Sequence, residues 1–174
     1  MFHAKNYIKV TSLEEAYELN QKKSNAIIGG MLWLKMSNRN MQTAIDLSGL
    51  GLDKIEEQED AFSIGCMCTL RQLEIHEALN RYFGGAMKAC TRHIVGTQFR
   101  NGATVGGSIF GRFGFSDILT CLLALDTYVE LYHAGVIALS EFVEMPRDND
   151  ILVRIIIKKD GRKIARSEEH TSEL

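Results

Sequence analysis

Two pairs of adjacent glycines, Gly29-Gly30 and Gly106-Gly107, carry the strongest chemical suggestion in this sequence. Glycine lacks a side chain, so paired glycines let backbone N–H groups approach a phosphate closely and tolerate the positive φ values of a tight cradle. Gly29-Gly30 follows the apolar run Ala26-Ile27-Ile28 and precedes a helical pattern from Met31 to Met36. A strand handing over to a helix N-terminus offers unpaired donors and a favourable dipole to an anion. Each pair taken alone is more often a simple turn.

The common nucleotide signatures are absent. Gly102 to Gly107 is followed by Ser108 rather than Lys, which disfavours a P-loop, and Gly49-Leu50-Gly51 has Lys54 where a dinucleotide fingerprint needs its third glycine. The pattern therefore points to a dinucleotide held by some other fold. His76 and His93 lie on helical segments without a base or carboxylate at a telling spacing and read as ordinary helix residues; His3 and His133 add no cluster. Trp33, beside an apolar run, reads as core. Glu56 to Asp60 reads as a solvated loop between lobes, and Arg112 as an exposed arginine.

The elements that must position the glycines follow from periodicity. Tyr7 to Val10 reads as extended, Ser12-Leu13-Glu14-Glu15 as a capping box for a helix to about Gln21, and Thr43 to Leu47 as a second β-type run closed at the Gly49 turn. These make a small β-α-β lobe. Beyond it, Phe62 to Cys66 alternates like a strand. Thr69 caps a helix from Leu70 to Leu79, and further helices are expected at Ala86–Ile94 and Asp117–Leu125. Thr127–Leu131 and Ile151–Ile157 are strands. The glycines between Asn101 and Ser108 interrupt the regular pattern.

With 45% hydrophobic and 24% charged residues in 174, the chain can bury one substantial core. Its formal charge of −2, with Lys and Arg dispersed, carries no electrostatic footprint for nucleic acid. No apolar stretch approaches the ~20 residues that span a bilayer, so no membrane partner is expected. Cys66, Cys68, Cys90 and Cys121 lack metal-site spacing and read as reduced thiols of a cytoplasmic protein.

The segment Ala26 to Lys35 resembles the first flavin loop of the FAD-binding medium subunits of molybdenum hydroxylases, the family of xanthine dehydrogenase and carbon monoxide dehydrogenase. Arg100 to Ser108, with the downstream Ser116-Asp117, resembles the second, and the likeness runs from Phe2 to about Ala165. It implies an α+β fold of the PCMH type: a small β-α-β lobe and a larger lobe of mixed or antiparallel sheet with helices, the flavin lying between them. The expected lobes are 1–58 and 59–165. Residues 166–174 resemble the in-frame translation of a sequencing adapter, so the natural chain is expected to be cut short ahead of a further C-terminal domain.

The resemblance implies that backbone groups of Ile27, Ile28, Gly29, Gly30, Met31, Leu32 and Trp33 hold the pyrophosphate and ribityl region of FAD. Thr104, Gly106, Gly107 and Ser108 would line its other side, with Ala103 behind. Ile94, Val95, Phe99 and Phe110 would supply apolar contacts near the flavin. Ser116 and Asp117 would bond the adenosine half, and Ile151 and Leu152 would belong to a strand touching the isoalloxazine ring. No residue is expected to be catalytic by proton transfer or to bind metal. FAD would be non-covalent. Molybdenum cofactor and 2Fe-2S clusters would sit on partner molybdenum and iron–sulfur subunits, with NAD among the acceptors.

The sequence also departs from the pattern. Met31-Leu32 stands where the family commonly has Thr-Asp, Ser108 replaces a common Asn, and Gly111-Arg112-Phe113-Gly114-Phe115 is richer in aromatics than the usual small-residue segment. The first departure gives weight to a rival reading, a degenerate non-redox structural or interaction subunit of the same fold. A free-standing flavin oxidase has no substrate-domain sequence to support it.

Overall fold

In the computed structural model, which describes residues 2–162, the chain begins as a strand, β1 (His3–Lys9), and crosses back through helix α1 (Leu13–Asn20) to β2 (Asn25–Ile28). A 3-10 turn at Leu34–Met36 leads to β3 (Asn40–Asp46). The three strands run parallel in the order β1-β3-β2, with Ile27 opposite Ile45 and Ala44 opposite Tyr7. Ser12 caps α1 by accepting from the Glu15 amide at 3.1 Å. The Glu15 carboxylate reaches back to the Thr11 amide at 2.8 Å, one residue earlier than a standard capping box requires.

The second sheet contains β4 (Ile55–Glu57), β5 (Ala61–Gly65), β6 (Thr127–Leu131), β7 (Gly135–Ala138) and β8 (Leu152–Lys158). All its pairings are antiparallel, in the order β4-β5-β8-β6-β7. Six short helices connect β5 to β6: α2 (Leu70–Ile75), α3 (Glu77–Tyr82), α4 (Ala86–Thr91), α5 (Thr97–Gly102), α6 (Val105–Phe110) and α7 (Asp117–Leu123). Helix α8 (Leu139–Glu144) follows β7. This mixed α+β arrangement, a parallel sheet beside an antiparallel one, is the expected fold class.

Several local expectations are corrected. The helix expected over Leu70–Leu79 breaks at His76, whose backbone is extended and whose Nδ1 accepts from the Leu79 amide at 3.2 Å, making it the cap of α3. The acidic run expected as a loop begins as β4, because Glu57 pairs opposite the fully buried Phe62 at the sheet edge. The second sheet thus starts at Ile55. The glycine-rich segment is helical on both sides of Ala103. The adapter-like residues 166–174 lie outside the described residues.

One continuous core joins the sheets. Val10, Ala16, Ile45 and Leu47 from the parallel sheet and its helix pack into the same buried cluster as Phe62, Leu73, Ile109, Val129 and Ile155 from the antiparallel sheet and its helices. At the surface, the Asn20 side chain donates to the Asn149 carbonyl at 2.7 Å, and Tyr17 stacks on His133 with ring centres 5.5 Å apart. Burial of this apolar area is the dominant favourable term in folding.

Candidate functional site

The two glycine loops meet directly. A methyl group at Gly30 would lie 1.5 Å from the Gly102 carbonyl oxygen, and one at Gly29 would lie 2.5 Å from Thr104 Oγ1. Neither position has room for a side chain, so both glycines are required by the contact between loops before any ligand is considered. Leu32 closes the contact from the other side, its methyls 3.3 and 3.4 Å from where a side chain on Gly102 would begin.

The loops differ in what they leave free. In the second, the Val105 and Gly106 amides donate to the Cys68 and Cys66 carbonyls, each at 2.8 Å. Gly107 donates to Thr104 Oγ1 at 3.2 Å, and Ser108 to the Thr104 carbonyl at 3.2 Å. Those four donors are used to seat α6. In the first loop, the amides of Gly29, Gly30, Met31, Leu32 and Trp33 form no hydrogen bond among the described residues. Met31 holds φ at 60°, in the left-handed region. The donors come from irregular backbone, and the expected helix is only the later 3-10 turn.

Between the loops lies a cleft of ≈ 340 Å³, within the range of ligand sites. Of the residues expected at the site, Ile27, Gly29, Gly30, Met31, Leu32, Trp33, Ile94, Val95, Phe99, Ala103, Thr104, Gly107, Ser108, Ser116 and Asp117 line it. Ile28, Gly106, Phe110, Ile151 and Leu152 do not. Ile28 packs under the parallel sheet with Met41 and Ala44. Gly106 is buried against the turn that follows β5, where a side chain would meet the Cys66 carbonyl oxygen at 2.7 Å. Phe110 packs on Phe142, and Ile151 and Leu152 are core.

Leu34, Leu70, Phe113, Phe115 and Ile118 line the cleft without having been anticipated. Leu70 was legible only as a helix start. The aromatic content of residues 111–115 was the available signal for the two phenylalanines. Trp33, expected in the core, is 61% exposed and meets Phe99 edge-on at 5.5 Å. Arg112, expected in solvent, is half-buried: its guanidinium lies 3.9 Å over the Phe142 ring and donates to the Met145 carbonyl at 2.6 Å.

The wall opposite the first loop is held by a buried ion pair. Arg100 Nε lies 2.8 Å from Glu74 Oε2, both side chains 7% exposed, and its Nη1 donates to the Ile94 carbonyl at 3.1 Å. Burial pushes the Glu74 carboxyl up, but hydrogen bonds and charge from Arg100 and Arg71 outweigh it and hold the group below the usual carboxylate range. At the far end, Ser116 Oγ accepts from the Leu119 amide at 3.2 Å and caps α7. Asp117, in the first turn of that helix, is exposed to the cleft. Burial pushes the Cys66 thiol up to about 12 and the Cys68 thiol up to about 11, so neither is a thiolate at neutral pH.

The arrangement brings five amides without a hydrogen-bond partner among the described residues between an apolar wall on one side and a hydroxyl- and carboxylate-bearing end on the other. The described residues contain no group of three or more His, Cys, Asp or Glu placed to bind a metal ion. No described helix is long and apolar enough to cross a membrane.

The chain is 28% identical over 171 residues to the uncharacterized protein YgfM of Escherichia coli K12, covering 93% of this chain and 64% of that protein. It therefore spans just under two thirds of the length of that relative. Among solved structures, quinoline 2-oxidoreductase from Pseudomonas putida 86 superposes with a TM-score of 0.80 at 20% identity, over 91% of this chain and 60% of that one. Carbon monoxide dehydrogenase from Hydrogenophaga pseudoflava does so with 0.79 at 19%, over 90% and 59%. Both show the shared fold. The family model described as the FAD binding domain in molybdopterin dehydrogenase matches residues 2–159, and the chain belongs to that family.

Proposed function

We propose that the chain is the FAD-carrying electron-transfer subunit of a molybdenum-hydroxylase-type oxidoreductase in the cytoplasm. Electrons would come from 2Fe-2S clusters of an iron–sulfur subunit, downstream of a molybdenum-binding subunit, and pass to NAD or another acceptor. The observation that carries this reading is the run of five amides from Gly29 to Trp33, unpaired among the described residues, in residues that line the cleft. Bound FAD would supply the redox chemistry, while the protein provides binding, orientation and electrostatics.

In this reading the first-loop amides hold the diphosphate, Thr104 lies across from them with Ser108 beside it, the Ser108 hydroxyl donating to the Thr104 carbonyl at 3.1 Å, and Asp117 accepts from ribose hydroxyls. Leu32, Ile94, Val95 and Phe99 keep water from the flavin end. We place the boundary between lobes in residues 47–54, where the chain leaves the parallel sheet and enters the antiparallel one. Neither His nor Cys lines the cleft among the described residues, which supports non-covalent attachment.

The purified chain, incubated with FAD and desalted, should retain flavin absorbance, and acid precipitation should release the flavin into the supernatant. Absence of retained flavin favours the non-redox subunit. Affinity purification of the full-length protein from its native host should recover molybdenum and iron–sulfur subunits, and recovery of the flavoprotein alone would overturn the assembly.

A further inference from the structure

The segment between α6 and α7 builds a layered aromatic stack at the cleft's edge. Phe113 and Phe115 lie 5.2 Å apart between ring centres with planes 17° from parallel. Behind them, the Arg147 guanidinium stands 5.7 Å from the Phe113 ring while donating to the Gly111 carbonyl. Phe113 is pressed onto Gly111, where a side chain would meet its ring at 2.5 Å. The inner ring is thus fixed by backbone and cation, and the outer ring rests on it.

Phe115 is nonetheless 76% exposed and Phe113 43% exposed, and both belong to the cleft lining together with Ser116 and Asp117. A large aromatic side chain held in place yet left to water forgoes most of the ~1.5–3 kcal/mol that burying it would contribute. Its free face and the adjacent carboxylate match the two features of a nucleoside, a flat π-system and a pair of ribose hydroxyls. Among the described residues, the lining beside Phe115 offers the Ser116 and Asp117 side chains as polar groups, too few to read the edge of a base as well as a ribose.

We propose that Phe115, backed by Phe113 and Arg147, is a stacking platform for the adenine of the dinucleotide, and that it makes the cleft select FAD over FMN. This rests on the flavin reading above and adds to it the residues that set cofactor choice. Stacking on a ring face tolerates any purine, so selection comes from the presence of a second base and not from its identity.

The test is a set of titrations of the purified chain with FAD, FMN and ADP, followed by flavin fluorescence and, for ADP, by calorimetry. Base–aromatic stacking supports a roughly ten- to hundredfold loss of FAD affinity in Phe115→Ala, with FMN affinity unchanged and ADP binding lost. Phe115→Trp should retain FAD affinity, and Phe115→Leu, which keeps bulk without a ring, should behave like the alanine variant. Because Phe115 is exposed, the variants should melt with the parent.

Unchanged FAD affinity in Phe115→Ala overturns the platform, and so does an equal loss for FMN. A parent chain that binds ADP through Phe115 but no flavin sustains the platform while sinking the flavin reading. A parent that binds none of the three overturns both.

Discussion

Gly106 and Gly107 are neighbours with different reasons to be glycine. A side chain at Gly106 would run into the Cys66 carbonyl and its Cβ at 2.7 and 2.8 Å, inside the seat that α6 makes on the Cys66–Cys68 turn after β5. At Gly107 the nearest atom is Thr104 Oγ1 at 3.1 Å, and the position is exposed to the cleft. Gly106→Ala should destabilise the fold by about 1–3 kcal/mol, as overpacking does. Gly107→Ala, whose methyl meets a single side-chain oxygen, should cost less stability than Gly106→Ala yet bind FAD about tenfold more weakly, because the methyl occupies the ligand side. Denaturant melts and flavin titrations on both variants check the pair, and reversed phenotypes would remove Gly107 from the site. The same separation applies at Ser116 and Asp117. Asp117 could have been a cap by sequence alone, but Ser116 makes the capping bond. Ser116→Ala should therefore cost about 1 kcal/mol of stability. Asp117→Ala should instead lower FAD affinity by about one to two decades, the worth of a charge-assisted hydrogen bond. An Asp117→Ala variant that loses stability and keeps its affinity would show that the carboxylate serves the helix.

Elements were legible in the sequence where a single period governs them. Thr127–Leu131 alternates, with Thr127, Val129 and Leu131 buried, and the Ile-rich β8 lies central in its sheet. The parallel lobe was readable from its apolar runs and the Ser12 cap. Helices α5 and α6 were not, because Gly102, Gly106 and Gly107 oppose helix propensity and tertiary contact overrides it. Thr104 caps α6, Gly106 lets the α6 backbone pack on Cys66, and Gly102 lets the end of α5 pack on Leu32. The position of α5 depends equally on a contact 26 residues away in sequence, the Glu74–Arg100 pair, which no local pattern reveals. Glu74 is ionised in the folded state at a lower pH than in the unfolded chain. Its contribution is thus fully present above the unfolded value of about 4.3 and is lost as pH falls through the lower folded value. Glu74→Gln should cost about 3–5 kcal/mol at pH 7, since it leaves the buried Arg100 uncompensated. The parent should lose more stability than this variant between pH 6 and pH 3. Parallel pH profiles of unfolding free energy would refute the assignment.

At the scale of the whole molecule, the cleft exists because two sheets share one core and two loops touch across it, and this was only partly legible. The resemblance indicated a ligand between lobes, but Gly29 and Gly30 suggested backbone freedom for a phosphate when their tighter constraint is the opposing loop. A methyl at Gly30 cannot be accommodated 1.5 Å from the Gly102 oxygen, and backbone on both sides leaves no flexible group to yield. The loops must then part by more than an ångström, which moves the five free amides away from Thr104 and opens the floor of the cleft. The sheets retain their own ladders and most of the common core, so the chain should still fold. The loss should appear in the coupling between ligand and stability. A ligand that binds only the folded state at a hundred times its Kd adds about 2.7 kcal/mol, and for a domain of this size each kcal/mol moves Tm by roughly 2–4 °C. The parent in saturating FAD should therefore melt about 5–10 °C higher than without it, whereas Gly30→Ala should show a shift near zero. Gly49→Ala, which meets the Val10 carbonyl oxygen at 3.1 Å within the first lobe, should lower the baseline Tm and retain the FAD-induced shift. If Gly30→Ala keeps the full shift, the loop contact is dispensable for the site and the cleft is assembled by the shared core alone.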